Sequence, residues 1–380
     1  MSYFDNNATT ALGQNALFSY EVSLQEDWSN PSSPYRTGSR VRAKLEQARE
    51  ELAEFFSLNK DQIIFTSGAT EANNGIFANF SASAESDSSC LISPFEHPSV
   101  IDAARYWCKD KIVYLPTDGN GLVNLDKAGL ILKKEKISLV SLMAANNETG
   151  VLQPWQELAE ICSANGVHFH CDATQWVGKL DASVLSKCGS FSASAHKFSG
   201  PKGIGWLASK DPIKMQLGGA QEFGLRGGTE NYPAIASMLV AFKDSQKRIT
   251  ELGSRALWRD EFDKGILATI PNVQILGSGN KRLWNTSMIL LPEFENLRWV
   301  GKLDKLGFQV STGSACSVGK KEGSGIANHY GFTAGQGRRL IRVSSYFQQS
   351  QSDWENLLSA FCLAYKELRS DAVNSLVLSL

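Results

Sequence analysis

The sequence predicts an α/β fold, in which a mostly parallel sheet has helices on both faces, followed by a smaller α+β domain. Two observations indicate this arrangement. Short apolar runs alternate with amphipathic segments between about residues 63 and 240, and this alternation is typical of parallel strands joined by helices. From about residue 251 the pattern changes to a helix, separated strands near 273–277 and 285–291, and then further helix.

We therefore expect a large domain over residues 13–250 and a small domain over residues 251–380. The chain has 380 residues, which is more than one hydrophobic core usually serves. Residues 1–12 are expected to pack near the small domain. Within them, the polar segment 5–10 (Asp-Asn-Asn-Ala-Thr-Thr) is either a helix N-cap and nothing more, or a segment laid over a functional site.

Composition and charge exclude several classes of function. The net charge is −1 and acids and bases are intermixed, so the sequence does not predict a nucleic-acid partner. It has no apolar run of membrane-spanning length and starts without signal-peptide regions, so we expect a cytoplasmic protein with no membrane partner. The seven cysteines form no Cys-x-x-Cys pair, which argues against a disulfide framework or a zinc site. Most lie in apolar segments, whereas Cys316 lies in a Gly/Ser loop.

The first candidate binding element follows the apolar strand predicted at 63–66. The next residues, Ser-Gly-Ala-Thr at 67–70, lead into a helix. Strand, glycine turn and helix N-terminus together make a phosphate site, because free backbone N–H groups and the positive end of the helix dipole face the anion. The spacing matches neither a nucleotide-triphosphate loop nor a dinucleotide fold. Many helices begin this way without binding anything, so the pattern needs support from elsewhere in the chain.

Two further candidates follow predicted strand ends, where α/β sheets bind their ligands. His97 follows the strand at 90–93, and its flat ring could stack on a flat cofactor, although such a histidine is more often a surface turn residue. Asp172 ends another apolar strand and shares one face with His168 and His170. That trio resembles a metal triad, but we expect no metal because a strand covered on both faces offers no open, solvated corner. A cation such as a protonated pyridine nitrogen better explains a carboxylate placed there.

Lys197 is the central candidate of the sequence. It follows a small-residue run at 192–195 and precedes Gly200-Pro201, which stops regular structure. A lysine held in this way can form a Schiff base with an aldehyde, because desolvation lowers the pKa of its amine and frees its lone pair. The alternative is a lysine that caps a turn. The candidates upstream favour the first interpretation, since each matches one chemical part of pyridoxal phosphate.

Taken together, these motifs resemble the cysteine desulfurases, which are pyridoxal-phosphate enzymes of the fold-type I, class V aminotransferase superfamily. The resemblance runs in order from residue 3 to about residue 370. The segments that carry it are 5–10, 30–33, 66–74, 96–100, 146–150, 172–175, 194–203, 226–231 and 311–317. It implies a fold-type I enzyme with a mostly parallel large domain and a smaller α+β domain.

The resemblance also implies roles for individual residues. Lys197 would bind pyridoxal phosphate as a Schiff base and later move the Cα proton. Asp172 would pair with the pyridinium nitrogen, and His97 would stack on the ring. The remaining cofactor contacts are implied for Gln175 and Asn147 around the phenolic oxygen, for Ala69, Thr70, Ser194 and His196 at the phosphate, and for Thr229 reaching in from the second subunit of a homodimer.

The implied substrate is L-cysteine. Arg342 would form a two-pronged salt bridge with its carboxylate, and Asn147 would also lie at the substrate. Cys316 would take the sulfur as a persulfide, with L-alanine as the product, and pass it to an acceptor protein, either an iron–sulfur scaffold or a sulfur carrier for thiolation. Because a free thiol is mostly protonated at neutral pH, a base must assist, and His97 is the candidate.

Two other functions stay open at this point. One is a selenocysteine lyase, or another class V lyase or aminotransferase, and the other is a non-catalytic scaffold that keeps the fold for partner binding. Cys316 favours the desulfurase. The sequence departs from the usual family pattern at Gly227, where serine is usual, at Phe223, where a basic residue is common, and in the glycine-rich continuation after Cys316.

Overall fold

The computed structural model describes residues 1–83, 85, 87–313 and 325–377. The strands are β1 (Ser2–Tyr3), β2 (Ile63–Thr66), β3 (Ser89–Ile92), β4 (Ile112–Tyr114), β5 (Ile137–Ser141), β6 (His168–Asp172), β7 (Ser190–Ser194), β8 (Gly205–Ser209), β9 (Gln274–Ile275), β10 (Thr286–Leu290), β11 (Phe308–Gln309) and β12 (Leu340–Ser344). The α-helices are α1 (Gln14–Glu26), α2 (Arg36–Phe55), α3 (Ala69–Ser83), α4 (Pro98–Cys108), α5 (Leu125–Lys134), α6 (Trp155–Ala164), α7 (Tyr232–Lys247), α8 (Leu252–Thr269), α9 (Asn296–Lys305), α10 (Gly325–His329), α11 (Ala334–Gly337) and α12 (Gln351–Val377).

A seven-stranded sheet forms the centre of the molecule, with strand order β2-β8-β7-β6-β5-β3-β4. The strands from β7 to β4 run parallel, whereas β8 is antiparallel to both of its neighbours. The predicted α/β architecture with a mostly parallel sheet is therefore confirmed. The antiparallel strand was not predicted, because its apolar run reads the same in either direction.

Both faces of this sheet are covered, and the strand sequences show why. Successive residues of one strand enter different cores, since side chains alternate across a sheet. Val140 packs with residues of α2, α6 and α7, whereas its neighbour Leu139 packs with residues of α3 and α4. The same alternation places Trp206 on the first face and Leu207 on the second. Continuous apolar runs are what such doubly covered strands require.

A second part of the chain packs around an antiparallel sheet with strand order β12-β10-β9. Its core joins residues of α8, α9 and α12 to those strands and also includes Phe4. The N-terminus is held there because β1 pairs in parallel with β11. Trp284, Tyr346 and Phe347 pack instead with the core of the large sheet. The division at residues 250 and 251 stays a prediction.

Element boundaries differ from the predicted ones by one or two residues. The strand predicted at 285–291 is β10, and that at 273–277 is the two-residue β9. The helix α6 has Pro154 as its N-cap. Five cysteines are buried free thiols and Cys362 is half-buried, whereas Cys316 lies outside the described residues. Among the residues that the structure describes, no helix has both the length and the apolarity needed to cross a membrane.

Candidate active site

The carboxyl ends of the parallel strands bring the predicted site residues to one edge of the sheet. Asp172 is the last residue of β6, and Ser194 is the last residue of β7. A short 3₁₀ turn, Ala195–Lys197, follows β7 and carries the lysine. His97 is the N-cap of α4 in the connection that follows β3. Asn147 lies in the loop after β5. These strands are neighbours in the sheet, so their ends border the same space.

The N-terminal segment lies directly over Lys197. The Nζ atom of Lys197 donates hydrogen bonds to the carbonyl oxygens of Asn7 and Ala8, both at 2.7 Å. Thr10 extends the contact, since its backbone N–H donates to the carbonyl oxygen of His196 at 2.8 Å. Of the two interpretations offered for residues 5–10, the segment laid over a functional site is therefore the right one.

Asn7 fixes this segment from both parts of the chain. Its Nδ2 atom donates to the carbonyl oxygen of Asn147 at 3.1 Å and to Oγ1 of Thr286 at 2.9 Å. Its backbone N–H donates to Oγ of Ser344 at 3.0 Å. Asn7 is buried, so each of these bonds is made away from water. The carbonyl groups that hold Lys197 are consequently positioned by the large sheet and by β10 and β12 together.

Lys179 is a fully buried amine beside Lys197 that the sequence reasoning missed. Its Nζ atom donates to Oδ1 of Asn7 at 2.7 Å and also to Oε1 of Gln175. Burial lowers the pKa of Lys179 well below its ordinary value, and the charges of Lys197 and Arg342 lower it further. The bond from Lys179 fixes the amide of Gln175, whose Nε2 atom donates to the carbonyl oxygen of Asn7 at 3.0 Å. A lysine inside the otherwise apolar Trp-Val-Gly-Lys-Leu run at 176–180 was the available signal.

The charges of Asp172 and Lys197 both change the pKa of the His97 imidazole. Burial lowers the pKa of His97, the charge of Asp172 raises it, and the charge of Lys197 lowers it. The Nδ1 atom of His97 accepts the backbone N–H of Ser99 at 3.1 Å. The two carboxylate oxygens of Asp172 accept the backbone N–H of Thr174 at 3.0 Å and Nδ2 of Asn73 at 2.9 Å. The anion, the amine and the flat ring therefore belong to one site.

A cavity of about 410 Å³ adjoins this site at the start of α3. It is lined by Ala8, Thr9, Ser67, Gly68, Ala69, Thr70, Ser194, His196, Lys202 and Gly203, so the four predicted phosphate contacts all lie on its wall. Gly68 has φ of +148°, and a Cβ atom there would lie 2.9 Å from Oγ of Ser194. The first-turn N–H groups of α3 and the cation of Lys202 make the cavity suited to an anion.

His196 borders the same cavity as an uncharged ring. Burial lowers the pKa of His196 to about 4, with further lowering by the charges of Lys197, Lys202 and Lys179. Its Nδ1 atom lies 3.2 Å from Oγ1 of Thr9. At neutral pH this histidine can hold an anion by a hydrogen bond, but it adds no charge of its own.

Arg342 reaches the site from β12. It is 2% exposed, and its Nη1 atom donates to the carbonyl oxygen of Asn147 at 3.0 Å. Its Nη2 atom pairs with Oδ1 of Asp5 at 2.6 Å. The buried Nε atom has no hydrogen-bond partner among the described residues. An unpaired buried donor is costly, and a carboxylate that entered the site could accept from it.

The roles predicted for Thr229 and Cys316 stay predictions. Thr229 is exposed and does not line the cavity, so its contact from a second subunit stays a prediction. Its loop is anchored by a buried ion pair, in which Glu222 accepts from Nη1 and Nη2 of Arg49 at 2.5 and 2.8 Å. Cys316 lies outside the described residues.

The His168, His170 and Asp172 face is occupied by hydrogen bonds. Both ring nitrogens of His170 are engaged, Nδ1 with Oγ of Ser190 at 2.9 Å and Nε2 with Oδ1 of Asn73 at 3.0 Å. Within the part of the chain that the structure describes, no group of three or more His, Cys, Asp or Glu residues could hold a metal ion.

Comparison with known proteins places the chain in a family. The family model described as "Aminotransferase class-V" matches residues 2–357, and the chain belongs to that family. A cysteine desulfurase of Cereibacter sphaeroides is 35% identical, with 97% of this chain and 96% of that protein covered.

Solved structures also resemble the chain. A protein described as NifS-like superposes with a TM-score of 0.87 at 29% identity, covering 96% of this chain and 99% of the other. A protein called SspA, solved in complex with cysteine, superposes with a TM-score of 0.78 at 26% identity over 90% of this chain and 98% of its own.

Proposed function

We propose that this chain is a pyridoxal-phosphate-dependent cysteine desulfurase, which moves the sulfur of L-cysteine to Cys316 and releases L-alanine. The observation that carries the proposal is the site where Asp172 and Lys197 both act on His97, beside a cavity suited to an anion. Relatives named cysteine desulfurase and a structural neighbour solved with cysteine support the same activity.

The residues present fit pyridoxal phosphate. Its phosphate would be held in the 410 Å³ cavity by the first turn of α3, where Gly68 leaves room that a Cβ atom would take. Both carboxylate oxygens of Asp172 accept hydrogen bonds, and a carboxylate that acts as an acceptor suits a protonated ring nitrogen. When bound, the cofactor supplies an aldehyde that condenses with amines and a ring that withdraws electrons from the substrate Cα.

The chain's own groups then orient the reactants and move protons. Lys197 would hold the cofactor covalently and afterwards carry the Cα proton, while the carbonyls of Asn7 and Ala8 set the position of its amine. His97 keeps Nε2 for the site because its Nδ1 accepts the N–H of Ser99. The guanidinium of Arg342 would bind the substrate carboxylate through the donor that has no partner among the described residues.

Sulfur transfer to Cys316 balances without an outside oxidant. The thiolate of Cys316 attacks the substrate sulfur, the carbon–sulfur bond breaks and a sulfur–sulfur bond forms. The electron pair of the carbon–sulfur bond stays on the carbon, which takes a proton to complete the methyl group of L-alanine. The transferred sulfur keeps the thiol hydrogen of L-cysteine. The persulfide would then pass to an acceptor protein, an iron–sulfur scaffold or a sulfur carrier. In a homodimer, Thr229 would contact the phosphate bound by the partner subunit.

The test is to incubate the chain with pyridoxal phosphate and L-cysteine, and to measure L-alanine together with the mass of the peptide that holds Cys316. We expect one added sulfur atom on that peptide and loss of turnover in Cys316→Ser. Cys362→Ser is the matched control, because this thiol is half-buried on α12 with Oγ1 of Thr269 at 3.5 Å, and the family resemblance gives it no role.

Two results would contradict the proposal. If Cys316→Ser formed L-alanine as fast as Cys362→Ser, the persulfide route would be wrong and a lyase of the same family would be the better description. If the purified chain showed no visible absorption band that Lys197→Ala removes, a non-catalytic scaffold would be the better description.

A further inference from the structure

A buried chain of hydrogen bonds runs beneath Asp172, and the proposed function leaves it unused. It begins at Asp211, whose Oδ2 lies 3.1 Å from Nδ1 of His168. Nε2 of His168 lies 2.8 Å from Oγ of Ser190, and that oxygen lies 2.9 Å from Nδ1 of His170. Nε2 of His170 then lies 3.0 Å from Oδ1 of Asn73. We name the four inner residues, His168, Ser190, His170 and Asn73, the Asn73 relay.

The direction of every bond in the relay follows from Asp172. Its Oδ1 accepts a backbone N–H and its Oδ2 accepts from Asn73, so the amide of Asn73 must present Nδ2 to the carboxylate. The other end, Oδ1, can only accept, and it takes O–H from Ser192 at 2.7 Å and N–H from Nε2 of His170. A fully buried His170, whose pKa burial lowers to about 3, is uncharged.

The same logic continues outward to His168. An uncharged His170 with its proton on Nε2 has a bare Nδ1, so the hydroxyl of Ser190 must donate to it. The oxygen of Ser190 is then left to accept from Nε2 of His168, so the contact of Nδ1 with Asp211 is a hydrogen bond only when both ring nitrogens of His168 carry protons. All three bonds point toward Asp172. The outer end lies near solvent, since the side chain of Asp211 is 68% exposed.

A branch from Asn73 sets the protonation of His97. The second N–H of the Asn73 amide donates to Oγ of Ser99 at 2.9 Å. The hydroxyl of Ser99 lies 2.9 Å from Nδ1 of His97, and the backbone N–H of Ser99 donates to the same nitrogen. Because Nδ1 only accepts, an uncharged His97 carries its proton on Nε2.

We propose that the Asn73 relay is a positioning device, which holds Asp172 as an acceptor toward the cofactor ring and His97 as the Nε2–H tautomer. This inference rests on the proposed function for the identity of the cofactor. It goes beyond that function by assigning roles to Asn73, His170, Ser190 and His168.

At rest, His97 is therefore a hydrogen-bond donor at Nε2, while its Nδ1 is occupied by the backbone N–H of Ser99. A purely structural role does not explain why these residues are polar. Asn73 and His170 are fully buried, and apolar side chains would fill the same space without polar groups to satisfy.

The test reads the histidine tautomers directly. The chain has five histidines, so long-range ¹H–¹⁵N spectra of the histidine-labelled holoenzyme can be assigned by single substitutions. Ser190→Ala interrupts the relay without adding bulk. Ser209→Ala is the matched control, because Ser209 is buried, pairs directly with Ser190 across β8 and β7, and has no hydrogen-bond partner for its hydroxyl among the described residues.

We expect the wild-type holoenzyme to show His170 and His97 with bare Nδ1 and protonated Nε2. In Ser190→Ala, His170 should keep its proton on Nε2, which still donates to Asn73, while its Nδ1 resonance should shift because that nitrogen has lost its donor. The ring resonances of His97 should move with it. The Kd for pyridoxal phosphate should rise by about threefold to tenfold, as expected for a weakened hydrogen bond at the carboxylate. Ser209→Ala should change neither the tautomers nor the Kd.

The inference is overturned if the wild-type His170 carries its proton on Nδ1. It is also overturned if Ser190→Ala and Ser209→Ala give the same His170 and His97 resonances and the same Kd. Failure of the proposed function gives another result, because the wild-type chain would then bind no pyridoxal phosphate. The histidine tautomers, measured without the cofactor, would still show the direction of the hydrogen bonds in the relay.

Discussion

Gly68→Ala is the substitution that should most directly test the anion cavity. Gly68 has φ of +148°, a region that L-residues rarely adopt, and this strain costs about 1–3 kcal/mol. The added Cβ atom would also lie 2.9 Å from Oγ of Ser194. If the turn shifts to relieve both, the first N–H groups of α3 move from the phosphate. Losing one charge-assisted hydrogen bond costs about 1.5–3 kcal/mol, so the Kd for pyridoxal phosphate should rise by roughly 10- to 150-fold.

Two further variants separate the causes. Gly203 also lines the cavity and has φ of +76°, but a Cβ atom there approaches no atom of the described residues within 4 Å, apart from its chain neighbours. Gly203→Ala should therefore lower stability by about 1–2 kcal/mol and raise the Kd by much less. Adding Ser194→Ala to Gly68→Ala removes the Oγ atom that the new Cβ would approach. That double variant should recover the stability lost to the contact but not the part lost to the strained φ.

The assays are fluorescence titration of each chain with pyridoxal phosphate and urea unfolding of the same samples. Equal Kd values for Gly68→Ala and Gly203→Ala would refute the reasoning, because the close approach to Ser194 would then have no bearing on the ligand. Recovery of cofactor affinity by added inorganic phosphate would also contradict it, since a free anion should compete for the cavity.

Three other substitutions follow from single contacts. Glu222→Gln should lower the free energy of unfolding by about 3–5 kcal/mol in urea, because the Arg49 guanidinium loses its buried carboxylate and keeps the 3.5 Å contact with the more exposed Glu46. The pKa of Lys179 is lowered in the folded state, so the unfolded chain binds more protons between that pKa and about 10.4, and wild-type stability relative to Lys179→Met should rise with pH toward alkaline conditions. Arg342→Lys should lower kcat/KM for L-cysteine by about 10- to 100-fold at unchanged affinity for pyridoxal phosphate, because lysine cannot form the two-pronged bond.

Much of the site could be predicted because strand ends can be read from a sequence. Asp172 was expected at the end of a strand, and that strand is β6, which lies parallel to β7. The rule that ligands bind at the carboxyl ends of parallel strands was enough to favour Asp172 and His97 as site residues, whereas the role of Ser194 was implied by the family resemblance. The glycine at 68 and the helix that follows it indicated a phosphate site, which the other candidates in the chain were needed to support.

The contacts that could not be predicted join residues far apart in the chain. Asn73 bonds Asp172 across 99 positions, and Arg49 bonds Glu222 across 173. Periodicity shows which face a side chain takes but not what lies opposite it. His170 was assigned the right face in this way, yet the metal alternative could be dismissed on contacts only when Asn73 was found at one of its ring nitrogens.

The position of Asn7 explains why the second part of the chain matters to chemistry carried out at the edge of the first sheet. Asn7 is bonded at once to Lys179 and to Thr286 and Ser344, while its carbonyl oxygen accepts from Lys197. Any displacement of β10 or β12 would therefore move the acceptor that sets the position of the reactive amine. Arg342 on β12 would move in the same displacement, so the residue proposed to bind the substrate carboxylate and the lysine proposed to bind the cofactor are held by one set of hydrogen bonds.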